Sequence, residues 1–149
     1  MPEYAQYKCN GVWYVPGPLP KEPNSTLSSE ARDCVDWSIS SKDENSDASP
    51  LKSDCEVMYN NIAGEGSWYL PWSYVQRTFI TYGTCAFGGT DITPGTEAWV
   101  GNDDIRKVLE WAFDSHTGKN SNGDEIVSGS GDMQCQPWGG RVTWGLYHS

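Results

Sequence analysis

Apolar residues recur at helical spacing in two stretches of the chain. In the first stretch they follow Ser53, which forms with Glu56 the S-x-x-E pattern of a helix capping box. In the second stretch they follow Asn102. The two apolar faces are Cys55, Met58, Tyr59 and Ile62 in the first stretch, and Ile105, Val108, Leu109 and Ala112 in the second. The pattern predicts two helices that end near Gly64 and Gly118, since glycine commonly follows the last turn of a helix.

Other stretches are rich in aromatic and β-branched residues and are bounded by glycine or proline, which is typical of strands. The predicted strands are Trp68–Leu70, Val75–Tyr82, Thr84–Gly88 and a terminal hairpin of Met133–Gln136 with Arg141–Tyr147. In the last strand Val142, Trp144 and Leu146 alternate on one face. The polar segment Lys119–Gly131 is predicted to be a loop. The prediction is therefore an α+β fold, with an antiparallel sheet of about four to five strands and two helices on one face.

The first part of the chain differs in character from the rest. Residues 1–33 mix aromatic residues with prolines and show no persistent helical or alternating period. We expect this part to be an extension that packs on or flanks the domain, and residues 34–149 to form that domain. A total of 149 residues suits one domain with its own core and is short for two.

The charge balance narrows the range of partners. Ten basic and twenty acidic residues give a formal net charge of -10, which repels nucleic acid and anionic membrane surfaces. No stretch holds the roughly 18 to 20 consecutive apolar residues that would span a membrane, and residues 1–8 lack the apolar core of a signal peptide. Secretion would therefore require that a signal peptide has already been removed.

The cysteines do not suggest a metal or redox site. Cys9, Cys34, Cys55, Cys85 and Cys135 are too far apart in sequence for the closely spaced pairs that bind zinc or exchange disulfides. No metal and no cofactor is predicted. Reduced core thiols in a cytosolic protein and disulfides in a secreted one are both open on this observation.

No constellation of catalytic residues is visible in the chain. The only histidines, His116 and His148, are predicted to lie on the surface, and no serine lies in a G-x-S-x-G motif. Paired carboxylates would suffice for a glycosidase, but Asp103 with Asp104 is better explained by the start of a helix. We therefore predict a protein that is not an enzyme.

Eight tryptophans suggest a binding surface. Those within predicted apolar elements are expected in or near the core: Trp37, Trp68, Trp99, Trp111 and Trp144. Trp13, Trp72 and Trp138 lie beside proline or glycine in predicted loops, so they are the candidate contacts to a partner, either a glycan or a protein. Asn24 begins an N-x-S/T sequon in a polar stretch and is a candidate glycosylation site.

Four blocks of sequence point to one family. They are S-P-L-K-S-D-C at Ser49–Cys55, Y-G-T-C-A-F-G at Tyr82–Gly88, V-G-N-D-D-I at Val100–Ile105 and V-T-W-G-L-Y-H at Val142–His148. In order and spacing the chain resembles the fungal secreted effectors with the necrosis-inducing factor domain, homologues of an extracellular protein effector of a tomato leaf-mould fungus. The resemblance extends from about Cys34 to His148.

The resemblance implies a compartment and a role. It implies a virulence factor that a fungal pathogen secretes into the host apoplast, where it binds a host protein or cell-surface component and can trigger plant cell death. It supplies no catalytic residue, and some members carry the domain fused to chitinases. The alternatives are binding or hydrolysis of cell-wall polysaccharide, and a killer-toxin-like action on fungal membranes or channels. By analogy, the fold would be a two-layer α/β sandwich similar to killer toxins of smut fungi.

The resemblance also bears on the cysteines. The family shares cysteines at Cys34, Cys55, Cys85 and Cys135, which implies two disulfides in a small stapled domain. Four cysteines allow three pairings, and the sequence does not choose among them. Cys9 lies outside the shared region, so it could be a free thiol, cross-link two chains or displace a family pairing. The host target and the oligomeric state cannot be predicted from the sequence.

Overall fold

A computed structural model describes residues 3–4, 6–9, 12–14, 33–40, 45–63, 66–137 and 139–149, the first three ranges as backbone strands only. Within these residues the helices are α1 (Lys52–Asn61) and α2 (Asn102–Ser115). The strands are β1 (Glu3–Tyr4), β2 (Gln6–Cys9), β3 (Val12–Tyr14), β4 (Cys34–Val35), β5 (Ser67–Pro71), β6 (Arg77–Tyr82), β7 (Cys85–Asp91), β8 (Glu97–Gly101), β9 (Thr117–Lys119), β10 (Glu125–Val127), β11 (Gly129–Cys135) and β12 (Gly140–His148).

Five antiparallel strands form the main sheet. In the order β6, β7, β12, β11, β4 each strand runs antiparallel to its neighbour, and the short strand β1 pairs with β6 in parallel. The terminal hairpin predicted from the sequence is the pair of β11 and β12. Val142, Trp144 and Leu146 of β12 are buried, as their alternation predicted. The predicted α+β class, with an antiparallel sheet and two helices, is confirmed.

A second sheet of four strands was not predicted. Its order is β3, β2, β5, β8, and all neighbours are antiparallel. Strand β8 is short and runs directly into α2, so only its pairing with β5 distinguishes it from an extended connection. Strands β2 and β3 come from residues 1–33, and β2 pairs with β5. The division into an extension of residues 1–33 and a domain of residues 34–149 stays a prediction.

Two disulfides connect the elements around the core. Cys55–Cys85 joins α1 to β7, and Cys34–Cys135 joins β4 to β11. All four sulfur-bearing residues are buried. They are the four cysteines that the family resemblance indicated, and the structure adds the pairing that the sequence left open.

The two helices share one core with the main sheet. The apolar faces predicted from helical spacing lie in this core, with Tyr59 at its edge. Aromatic rings fill the centre: Trp68 stacks on Phe79 and Phe87 stacks on Trp144, each pair with ring centroids 5.7 Å apart. The spacing of apolar residues therefore predicted correctly which side of each helix is buried.

The start of α1 differs from the predicted one for a tertiary reason. The helix begins at Lys52 with Leu51 as its N-cap and has no side-chain cap, so the predicted capping box at Ser53 is wrong. Thr84 defines the start instead. Its Oγ1 accepts a hydrogen bond from the Leu51 N–H (2.9 Å), while its own N–H and hydroxyl donate to the Asp54 carboxylate (2.8 Å each).

The segment after α2 contains short strands where a loop was predicted. The helix ends at Ser115 and Gly118 lies in β9, so the predicted helix stop at Gly118 is wrong. The predicted loop Lys119–Gly131 contains β10, which pairs with β9 and buries two apolar residues, and the beginning of β11. These strands were not predicted because the segment is mostly polar and only two residues of β10 face the core. The other predicted stop, Gly64, lies outside the described residues.

A substitution at Gly131 tests how closely the segment before α1 approaches β11. A Cβ at Gly131 would overlap the carbonyl oxygen of Ser38, which also accepts a hydrogen bond from Trp144 Nε1 (3.0 Å). We expect Gly131→Ala to lower the free energy of unfolding by about 2 to 3 kcal/mol, as measured by guanidinium unfolding. Gly129→Ala on the same strand is the control, since its Cβ would lie at an ordinary 3.4 Å from Trp144. Equal losses in the two variants would contradict the prediction.

Candidate functional site

Four large apolar side chains are exposed at one end of the main sheet. Trp72, Tyr74 and Val75 lie in the connection from β5 to β6, and Ile92 follows β7. Because β6 and β7 are antiparallel, the beginning of β6 and the end of β7 lie at the same end of the main sheet. The exposed fractions are 37% for Trp72, 86% for Tyr74, 48% for Val75 and 42% for Ile92. We call these four residues the aromatic patch.

Backbone bonds hold the aromatic patch on an ordered base. Trp72 forms a β-bridge with Asp91, and its N–H donates to the carbonyl oxygen of Thr96 (3.1 Å). Asp91 is fully buried, and its carboxylate accepts hydrogen bonds from the Thr93 N–H (3.1 Å) and from Thr96 Oγ1 (2.8 Å). The rings of Trp72 and Tyr74 pack edge to face, 5.3 Å apart. An ordered patch loses less conformational entropy when it binds a partner.

Trp138, one of the predicted contacts, lies outside the described residues. Residues on either side of it in sequence are described. Pro137 forms a β-bridge with Ala98, and the carbonyl oxygen of Arg141 accepts a hydrogen bond from the N–H of Ile92 (3.0 Å). Pro137 therefore lies next to β8, and Arg141 lies next to Ile92 of the patch.

The remaining predicted contacts and sites stay predictions. The backbone of Cys9 lies in β2 and that of Trp13 lies in β3. Their side chains lie outside the described residues, and so does the whole of Asn24.

Of the tryptophans predicted in or near the core, Trp68 and Trp144 are buried, and Trp37 and Trp111 pack against the core from its edge. Trp99 is half-buried and packs against Tyr69, with ring centroids 5.3 Å apart. Tyr74 and Ile92 were not singled out from the sequence, because an apolar residue in a short connection has no pattern that marks it as exposed. Val75 was predicted to begin a strand, but that strand begins at Arg77, so the predicted start is wrong.

His116 is buried, so its predicted surface position is wrong. It is the C-cap of α2 and is 8% exposed. Its Nε2 lies 2.6 Å from the carbonyl oxygen of Ser40, and its Nδ1 lies 2.7 Å from Ser115 Oγ. The carbonyl oxygen of His116 accepts a hydrogen bond from Asn45 Nδ2 (2.8 Å). Packing of the segment before α1 over the end of α2 buries the ring, whereas His148 is exposed, as predicted.

Asp104 does more than complement the dipole of α2. Its Oδ2 accepts hydrogen bonds from the N–H groups of Gly101 and Asp33 (2.8 Å each). Its Oδ1 accepts hydrogen bonds from the Cys34 N–H (3.2 Å) and from Trp37 Nε1 (3.0 Å). Burial raises the pKa of this carboxyl to about 6, although the hydrogen bonds act to lower it. Asp104 therefore joins the beginning of α2 to the segment that carries one disulfide.

Metal ligands and free thiolates are the groups to look for first among the described residues. These residues contain no group of three or more His, Cys, Asp and Glu side chains that could hold a metal ion. The four paired cysteines are oxidised and supply no thiolate. Neither of the two described helices is long and apolar enough to cross a membrane.

Comparison with known proteins assigns the chain to a family. Residues 33–135, well over half of the chain, match the Hce2 family, described as "Pathogen effector; putative necrosis-inducing factor". The protein belongs to this effector family. A stretch of 110 residues is also 32% identical to a protein of Penicillium expansum named "Probable chitinase LysM18". The aligned stretch is 71% of this chain but only 7% of that protein, so the chain spans a small part of its relative.

The part of this effector that matches the family coincides with the larger disulfide loop. The match begins beside Cys34 and ends at Cys135. It includes both disulfides, both helices and the whole aromatic patch. Strand β12 follows the match, although it lies at the centre of the main sheet. The family supports a fungal effector role and extracellular secretion, in agreement with the resemblance of the sequence motifs.

Proposed function

We propose that this effector is a non-enzymatic virulence factor that binds a host protein or cell-surface component through the aromatic patch. The observation that carries the proposal is the exposure of Trp72, Tyr74, Val75 and Ile92 on an ordered base. Exposed apolar clusters on small proteins mark interaction sites. Tryptophan and tyrosine dominate such sites because they bury a large area with few rotatable bonds.

The host apoplast is the proposed place of action, and plant cell death is the proposed outcome. Two buried disulfides are typical of proteins in oxidising compartments. A net charge of -10 disfavours anionic membrane surfaces and nucleic acid as targets. Both properties support a protein partner outside the fungal cell.

Binding is favoured over catalysis by the way three buried polar residues, His116, Asp91 and Asp104, are used. Both ring nitrogens of His116 lie within hydrogen-bond distance of Ser40 and Ser115. Asp91 and Asp104 are fully buried, and their carboxylates accept hydrogen bonds from the protein itself. A general base needs access to the proton that it removes.

A double variant of the patch tests the proposal. We expect Trp72→Ala with Tyr74→Ala to raise the protein dose needed for cell death about 100-fold, because two hot-spot residues are lost. The measurement is a dose series of oxidised protein infiltrated into leaves of varied plant genotype.

The matched control removes two exposed apolar side chains outside the patch. Val35→Ala with Tyr82→Ala changes residues that are 59% and 44% exposed, and Tyr82 lies at the opposite end of β6 from the patch. We expect this control to act at the wild-type dose. If the patch variant also acts at that dose, the patch is not the binding site; if wild type kills cells of no genotype, the proposed outcome is wrong.

Binding or hydrolysis of cell-wall polysaccharide is the second candidate function. The similarity to a protein named a chitinase favours it, and exposed aromatic rings can also stack on sugar rings. Chitin oligomers are the probe, with bound oligomer and released reducing sugar as the readouts. Oligomer binding that the patch variant lacks would favour this candidate. The absence of both oligomer binding and sugar release would exclude it.

A further inference from the structure

A groove of about 370 Å³ lies between the outer faces of the two helices. From α1 it is lined by Glu56, Tyr59 and Asn60, and from α2 by Glu110, Phe113 and Asp114. Its volume falls in the range of about 300 to 1,000 Å³ that is usual for binding sites. We call it the helix groove, and it shares no residue with the aromatic patch.

Two aromatic rings form an ordered wall of the helix groove. Tyr59 and Phe113 pack edge to face with centroids 5.9 Å apart. The Tyr59 hydroxyl donates a hydrogen bond to Glu110 Oε2 (2.7 Å). The guanidinium of Arg106 lies over the Tyr59 ring, 4.2 Å from its centroid, so this ring already packs against a cation. The wall is therefore held in place by contacts within and between the helices.

The lining of the helix groove is acidic, although the guanidinium of Arg106 over Tyr59 offsets part of its charge. Three of its lining residues, Glu56, Glu110 and Asp114, are exposed carboxylates, and none of the lining residues is basic. Within the described part of the chain none of the three forms an ion pair. Their combined field, added to the net charge of -10, attracts a cation to this position.

We propose that the helix groove binds a lysine- or arginine-containing segment of a partner protein. The cationic head would lie among the three carboxylates, and the alkyl stem would pack along Phe113. A sugar ring suits the groove less well, because a sugar needs a flat, open aromatic ring on which to stack. Here the two rings stand at 70° to each other, and Arg106 covers Tyr59. The groove thus gives the effector a second contact surface, independent of the aromatic patch.

A charge-matched pair of variants tests this proposal. The probe is a capped hexapeptide of alternating lysine and glycine, titrated while amide NMR spectra are recorded. We expect shifts confined to α1 and α2, and an affinity about tenfold lower for Glu56→Gln with Asp114→Asn. This variant leaves the bond between Tyr59 and Glu110 intact.

The control removes two exposed carboxylates elsewhere, with Asp36→Asn and Asp47→Asn. It changes the net charge equally, so we expect about a twofold loss at most. Equal losses in the two variants, or shifts outside the helices, would overturn the proposal, because the peptide would then respond only to overall charge. A glucosamine tetramer that binds the groove when the peptide does not would also overturn it. The Trp72→Ala, Tyr74→Ala variant should bind the peptide normally, so that failure of the patch and failure of the groove are separate results.

Discussion

Replacing Cys34 and Cys135 together by alanine is expected to lower the free energy of unfolding by about 5 kcal/mol. The disulfide spans a sequence separation of 101 residues, and opening so long a loop greatly increases the conformational entropy of the unfolded chain. The loss approaches the whole stability of a small domain, about 5 to 15 kcal/mol. Guanidinium unfolding followed by tryptophan fluorescence measures it, and we expect a variant that is largely unfolded even without denaturant.

Removal of the other disulfide provides the comparison. Cys55 and Cys85 are separated by 30 residues, so their replacement by alanine should cost about 4 kcal/mol. A loss below about 1 kcal/mol for the Cys34 and Cys135 variant would contradict the expected role of its loop. The pairings also predict that denatured, unreduced wild type titrates at most one thiol per chain, that of Cys9. No thiol at all would indicate that Cys9 pairs with a second chain.

Replacing Asp104 by alanine is expected to lower the free energy of unfolding by about 3 kcal/mol at neutral pH. Four donors would lose their acceptor. They include the N–H groups of Asp33 and Cys34, which hold the Cys34–Cys135 disulfide near α2. Relief from burying a charged carboxylate offsets part of this cost. Asp103→Ala is the control in the same helical turn, because Asp103 is partly exposed and should cost only about 0.5 kcal/mol through the helix dipole.

The pH dependence of this difference gives a sharper test. Burial raises the pKa of Asp104 from 3.8 to about 6, so the folded state binds the proton more tightly than the unfolded state. Stability therefore increases as the pH falls below about 6, and the gain is complete near 3.8. From pH 7 to pH 5 wild type should gain about 1 kcal/mol relative to Asp104→Ala. A difference that stays constant or shrinks over this interval would show that Asp104 does not titrate in this way.

Three of the four sequence blocks that indicate the family meet one another in the structure. They are Ser49–Cys55, Tyr82–Gly88 and Val142–His148. The first two are joined by the Cys55–Cys85 disulfide and by the hydrogen bonds from Thr84 to Asp54. The third lies in β12 with His148 opposite Cys85. These blocks build the scaffold, whereas the aromatic patch lies in the connections, where binding residues are more often found.

An element could be predicted when the residues that define it lie close together in the sequence. Helix α2 was predicted from its start at Asn102 and its apolar face because both are local features of the sequence. The start of α1 was predicted wrongly because Thr84, 33 positions after Leu51, supplies the groups that define it. Trp72 was recognised as a contact residue from the proline beside it. Tyr74 and Ile92 were missed because their exposure depends on how two connections come together.

The sequence by itself determined the effector family, the α+β class, the buried faces of both helices, the terminal hairpin and the acidic charge. These follow from composition and from periodicity and motifs, which involve residues that are close together in the sequence. Only the tertiary structure decided the disulfide pairing, the second sheet, the burial of His116, the helix groove and the full aromatic patch. Each of these depends on residues that are distant in sequence and meet only when the elements pack, so no local pattern could contain them.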